Sequence, residues 1–215
     1  MKEGECTLQS RYALPLGKKN ISMGKFKINN FLILICLIVF SLFADQWFPA
    51  KTEKYYSKNR EYYLKVIPGC CIIKKQKSCF GILYKTKKFA RDKKIWEIAL
   101  DNNVAPVDVI VSESGDYIIT FDNWHQKGYG DNVIVIYDKK GNLLKKFSLE
   151  EVLTKYEISK IPISVSSRWW GTGHFIDEEN EVLILRIIDN ITMPWNKDAK
   201  FKEVKIDLKT FKRLD

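Results

Sequence analysis

Histidine is nearly missing from this chain: His125 and His174 are the only two among 215 residues. That scarcity leaves little room for imidazole catalysis or a histidine-rich metal centre. There is no GxSxG nucleophile elbow, no P-loop and no dinucleotide fingerprint, so acyl-transfer, phosphate-cradling and Rossmann chemistries have no motif to rest on. Cys70, Cys71 and Cys79 have no histidine nearby and no second cysteine pair to complete four ligands, which disfavours zinc. An EF-hand spacing is lacking as well.

What is present is the balance of a globular protein, 46% hydrophobic, 29% charged and 13% aromatic. The formal charge of +10 is uneven. Residues 1–44 carry a net +4 and residues 51–94 a net +11, from fourteen Lys/Arg against three acids. Residues 95–215 carry −4, sixteen against twenty, and Asp45 completes the sum. One basic block on a mildly acidic body suits an anionic membrane or cell-wall surface as partner, with Tyr55, Tyr56, Tyr62 and Tyr63 interleaved among the cations. A solvated Lys-rich hairpin accounts for the same block with no partner.

Phe31–Ala44 (FLILICLIVFSLFA) is an uncharged apolar run of fourteen residues, with Lys25 and Lys27 before it. As a helix it would rise roughly 21 Å, short of a ~30 Å hydrocarbon core, which suits a signal-peptide h-region better than a spanning helix. Basic residues on the N-terminal flank would leave the remainder outside, secreted or periplasmic, or anchored by a single pass with Trp47 and Phe48 at the interface. A buried core helix is the third reading. Met23 would begin a signal sequence of conventional length, and residues 1–44 therefore read as signal or anchor and 45–60 as a polar basic tether. Nucleic acid is a disfavoured partner for an exported chain. An oxidising compartment would favour a disulfide between Cys71 and Cys79, with Cys70 as the alternative to Cys71.

Residues 61–215 read as a β-rich domain. Val107–Val111 and Tyr117–Phe121 flank the turn SESGD, and Val133–Tyr137 and Leu143–Phe147 flank DKKGN. A glycine in each turn supplies the positive φ of a tight hairpin. Ser148 and Glu151 have capping-box spacing, which predicts one short helix over about 149–156. Three units, 61–100, 116–149 and 181–214, share a strand–loop–strand–turn plan. The expected fold is therefore mainly β, with three antiparallel units and an N-terminal hydrophobic helix.

The middle unit, VSESGDYIITFD with NVIVIYDKKGNLLKKFSL, resembles a blade of the WD40-like β-propellers, and DNWHQKGYGDNVIVIYDKKG is similar to uncharacterised exported bacterial proteins. The resemblance covers residues 107–149, lacks the Gly-His and Trp-Asp signatures, and implies an open propeller-like or sandwich-like array rather than a closed ring.

Two polar-aromatic runs are candidate sites. Asp122, Trp124 and His125, followed by Asp131 and Asn132, form a loop between apolar strands. Asp122, Asp131 and Asn132 offer oxygens for Ca²⁺, and His125 offers a base or a transition-metal ligand. Asx-type turn capping explains the same residues without a ligand. Arg168, Trp169, Trp170 and His174 form the second run, and adjacent tryptophans on an extended chain point to opposite sides, leaving one free to cover a ligand or stack on Arg168. The reading is a non-enzymatic binding or scaffolding domain, with an exported hydrolase or metal-dependent enzyme using the 122–132 loop and His125 or His174 as the alternative. No catalytic residue is assigned.

Overall fold

The structure, a computed structural model, describes residues 47–69 and 78–214. Within them, eleven strands form three antiparallel sheets. The first holds β1 (Glu53–Tyr56), β2 (Tyr62–Ile67), β3 (Phe80–Lys85) and β4 (Lys93–Ala99), side by side in chain order. The second holds β5 (Asp108–Val111), β6 (Tyr117–Phe121), β7 (Ile134–Asp138) and β8 (Leu143–Phe147) in the same way. In the third, β10 (Val182–Ile188) lies between β9 (Phe175–Asp177) and β11 (Phe201–Asp207).

Strand β7 of the second sheet is buried on both faces, which is why its sequence is an unbroken apolar run. Ile134 and Ile136 point into a core shared with Leu183, Leu185 and Ile187 of β10. Val135 and Tyr137, on the opposite face, meet Leu64, Leu83 and Trp96 of the first sheet. A strand with one wet face alternates apolar and polar residues; one packed on both sides does not. The second sheet therefore sits between the other two.

Local chemistry closes the hairpins. Gly115 (φ 72°) and Gly141 (φ 85°) adopt left-handed backbone in the β5–β6 and β7–β8 turns. The Asp138 carboxylate accepts from the backbone N–H groups of Lys140 (2.7 Å) and Asn142 (2.8 Å), an Asx-type brace that sets the β7–β8 register. Glu151 accepts from Ser148 N–H at 2.8 Å at the start of α1 (Leu149–Val152). A second capping box, Thr154 with Glu157, starts α2 (Lys155–Ser159). The expected single helix is therefore two, because Leu153 leaves helical geometry (ψ 145°) just where Thr154 begins a new N-terminus.

Glu157 is the one acid with its side chain almost wholly enclosed among the described ion pairs. Arg213 grips it with two N–H groups (2.8 and 2.9 Å), and Lys202 also reaches it. The Arg213 guanidinium holds this carboxyl far below the usual carboxylate range. The cluster ties α2 to β11 and the C-terminal segment.

Several expectations change. The span 45–60 contains β1, paired with β2 from Glu53↔Val66 to Tyr56↔Tyr63, so the β body begins before residue 61. The first two units have four strands each and the third has three. Cys79 is a free, buried thiol, which overturns its bridge to Cys71 or Cys70; those two cysteines lie outside the described residues. It packs against the first-sheet core, and burial pushes the thiol up to about 12. The transmembrane and secretory description is corrected too: among the described residues no helix is long and apolar enough to cross a membrane. The 31–44 run and Met23, on which that description rested, lie outside them.

Candidate functional site

The end of β6 turns sharply at Asp122, whose backbone is left-handed (φ 59°), as are His125 (71°), Gly128 (74°) and Gly130 (79°). Aspartate tolerates this region better than most side chains. The fold holds it there from both ends: Asn102 Nδ2 donates to Asp122 O (2.7 Å), and the Asp122 carboxylate accepts from Gly128 N (2.7 Å). Thr120 Oγ1 completes the buried chain by donating to Asn102 Oδ1 at 2.7 Å.

The two polar-aromatic runs meet at this carboxylate. Trp170, fully buried, donates its indole N–H to Asp122 at 3.1 Å from each oxygen. His174 stacks on Trp170 (4.5 Å, 14°) and lies 4.8 Å from the Phe121 ring. Its Nδ1 accepts from Arg186 N–H (3.1 Å), so the neutral ring carries its proton on Nε2. Burial pushes Asp122 up to about 6 and His174 down to about 3, each favouring its neutral form. Asp122 and His174 share a 180 Å³ cavity with Asp108, Lys127, Gly171 and Thr172. The carboxylate is thus occupied as a structural acceptor, and His174 lines the cavity beside it.

A second group lies outside the first. Trp47 packs edge-on to Trp124 (5.3 Å) and His125 (5.6 Å) and stacks on Trp169 (6.5 Å, 10°). Trp47 Nε1 donates to Ser166 Oγ (3.0 Å), and Trp124 Nε1 to Phe48 O (2.9 Å). The adjacent tryptophans are therefore divided: Trp170 belongs to the core, whereas Trp169 joins a surface cluster with Trp195. Arg168 stacks on Tyr129 (4.6 Å) and pairs with Glu150 (2.6 Å), and Lys127 takes the place over Trp169 (5.5 Å). His125 belongs to the outer group and His174 to the inner one.

The three oxygen residues considered for Ca²⁺ have different surroundings. Asp122 is engaged as above, Asp131 is exposed, and Asn132 donates to Asp101 O (2.7 Å). Among the described residues no three His, Cys, Asp or Glu side chains come together as metal ligands.

The basic block forms a patterned face on the first sheet. Pairing places Tyr56, Tyr63, Tyr84 and Lys94 in one cross-strand row and Lys54, Lys65, Ile82 and Glu97 in the next. Tyr63 lies 5.0 Å from both Tyr56 and Tyr84, stacked on Tyr84 at 14°, and Lys54 Nζ sits 4.9 Å over its ring. The Tyr63 hydroxyl donates to Asp92 (3.0 Å), and burial with this bond raises its pKa. A groove of 400 Å³ on this face is lined by Lys54, Lys65 and Arg91, by the one acid Asp92, and by Tyr63, Tyr84 and Ala90.

Sequence reasoning overlooked Tyr84, Lys127 and Trp195. Tyr84 joins its row only through the β2–β3 register. The signal for Trp195 was an unassigned aromatic in a polar loop.

Together these features define a three-sheet β protein with a cationic tyrosine face and a tryptophan-rich loop surface. No protein-family model matches the chain, and no curated protein matches it. One solved structure, described as a eukaryotic initiation factor, aligns with a TM-score of 0.35 at 13% identity, covering 80% of this chain and 44% of that one. The chain thus spans less than half of that structure's length, and a likeness at this level carries no argument.

Proposed function

We propose that the chain is a non-enzymatic binding module whose first sheet holds an anionic polymer, and that its three sheets are blade-like units of an open propeller-like array. The blade reading is supported by the chain-order meander of each four-stranded sheet and by face-to-face packing of successive sheets. The binding reading rests on one observation, the tyrosine row flanked by Lys54 and Lys65.

Tyr63 is buried and supports the row, so the contact area comes from exposed Tyr56 and half-buried Tyr84, and the cations beside them attract an anionic chain. Lys54 and Lys65 are paired across β1 and β2, and neither forms an ion pair among those described. The eleven Lys/Arg against three acids among the described residues of 51–94 extend the same sign around the groove. A hydrolase using the 122–132 loop has less to stand on, because Asp122 is already an acceptor for Trp170 and Gly128.

Titration with labelled inorganic polyphosphate tests the proposal, with an oligonucleotide and anionic vesicles as comparison arms. Saturable binding that is lost in a Lys54→Gln, Lys65→Gln, Arg91→Gln variant is expected. Equal binding by that variant would overturn it.

A further inference from the structure

A second binding surface lies on the loops, away from the tyrosine row in sequence and in charge. Trp169 and Trp195 meet at right angles, centroids 4.8 Å apart and planes at 88°, and Trp195 is 66% exposed. They form two walls of a 300 Å³ cleft completed by Lys127, Gly171, Thr172 and Pro194. An indole this open at the rim of a cleft offers a large, rigid apolar face to a ligand.

Both walls are held in place. Trp169 donates its indole N–H to Ser164 Oγ (2.9 Å) and rests on Trp47. The loop that carries Trp195 is braced by Asn190, which donates to Asp198 O (3.0 Å) and accepts from Lys200 N (2.9 Å). Asn196 Oδ1 accepts from Asp198 N (3.0 Å) within the same loop. The indoles are therefore presented ready-made, which lowers the ordering cost of binding.

A smaller cavity adjoins the cleft. Lys127, Gly171 and Thr172 line both, and the second also holds Asp108, Asp122 and His174. An aromatic cleft thus lies beside a polar cavity lined by carboxylates, an ammonium, a hydroxyl and an imidazole ring. Lys127 Nζ donates to Gly171 O (3.1 Å) and keeps further N–H groups for a ligand.

We propose that this groove binds a neutral oligosaccharide, one pyranose ring lying against Trp195 and Trp169 and its hydroxyls reaching Lys127, Thr172 and Asp108. A pyranose has C–H faces that pack on indole and an equatorial ring of hydroxyls that both donate and accept. Lys127 repels a cationic ligand such as a quaternary ammonium, and Asp108 and Asp122 disfavour an anionic one. The cleft stands at the small end of the roughly 300–1,000 Å³ of small-ligand pockets, which fits one or two rings rather than a helix or strand.

The test uses the full chain with maltohexaose, cellohexaose and chitohexaose as separate probes, followed by calorimetry and tryptophan fluorescence. At least one probe should bind and shift the emission, and Trp195→Ala should weaken it by about tenfold or more while far-UV circular dichroism stays unchanged. Lys54→Gln, Lys65→Gln, Arg91→Gln should bind that sugar like the parent, which separates this site from the anionic face. Binding unchanged in Trp195→Ala, or no binding of any of the three probes, would overturn the proposal; the second result would turn the exposed indoles into a protein contact.

Discussion

The indole N–H of Trp170 points between the two carboxylate oxygens of Asp122, 3.1 Å from each. This contact joins positions 48 apart and locks the 122–130 loop to the 166–174 run in the core. Asp122 meets Lys127 and Asp108 electrostatically, and its raised pKa comes first from burial.

Asp122 predicts an unusual pH dependence. Its folded pKa of about 6 exceeds the ordinary 3.8, so the folded state binds the proton more tightly. Stability from this group is full below about pH 4 and is lost as pH rises through 6, on the order of 3 kcal/mol. Denaturant midpoints of the parent, measured relative to Asp122→Asn, should therefore fall as pH rises from about 4 to about 6. A flat difference would remove the buried acid from the account.

His174 acts in the other direction. Its pKa falls from 6.5 to about 3, so its contribution is present above pH 6.5 and is lost as pH falls toward 3. Relative to His174→Gln, the parent should lose stability on acidification through that window. Imidazole shifts in an NMR titration should show His174 still neutral at about pH 5.

Glu157 should be the most sensitive carboxylate to truncation. Glu157→Ala leaves Arg213 and Lys202 facing each other without their anion and should cost about 3–5 kcal/mol by chemical denaturation. Because its folded pKa is depressed, the parent's advantage should fade as pH drops below the usual carboxylate range. A loss under about 1 kcal/mol would class the cluster with ordinary surface pairs.

Cys79 should resist alkylation. A thiol at about 12 and fully buried has almost no thiolate at neutral pH. Native protein treated with iodoacetamide should leave Cys79 unmodified by peptide mass spectrometry, and denatured protein should not. Rapid native labelling would contradict its place in the core.

Gly171 and Gly130 make a matched pair. A Cβ at Gly171 would lie 2.3 Å from Arg186 O and 2.8 Å from the His174 ring, whereas Gly130 (φ 79°) has open space around it. Gly130→Ala should cost about 1 kcal/mol from backbone strain alone, and Gly171→Ala clearly more because backbone must move. Equal thermal shifts would contradict the close approach at Gly171.

Much of the fold was legible because it was local. The apolar run of β7 and the turn glycines Gly115 and Gly141 announce their hairpins within a few residues. The Ser148–Glu151 box announces a helix start, while the equally regular Thr154–Glu157 box was overlooked. The site was less legible. Asp122, Trp170 and His174 could be named from their residue types, but not that the first braces the second and the second carries the third. Tyr84 and Trp195 reach their partners only through strand register and loop path, neither of which a linear pattern contains.

The salt dependence of polyphosphate binding tests the central claim most directly. If Lys54, Lys65 and Arg91 hold an anionic chain at an exposed face, raising salt from about 50 mM to about 500 mM should weaken binding steeply, as the Debye length shrinks from ~14 Å to ~4 Å. The Lys54→Gln, Lys65→Gln, Arg91→Gln variant should bind more weakly at low salt and lose less on salt addition. Affinity that stays constant across that range, or a variant with the parent's affinity and salt response, would contradict the assignment of this face.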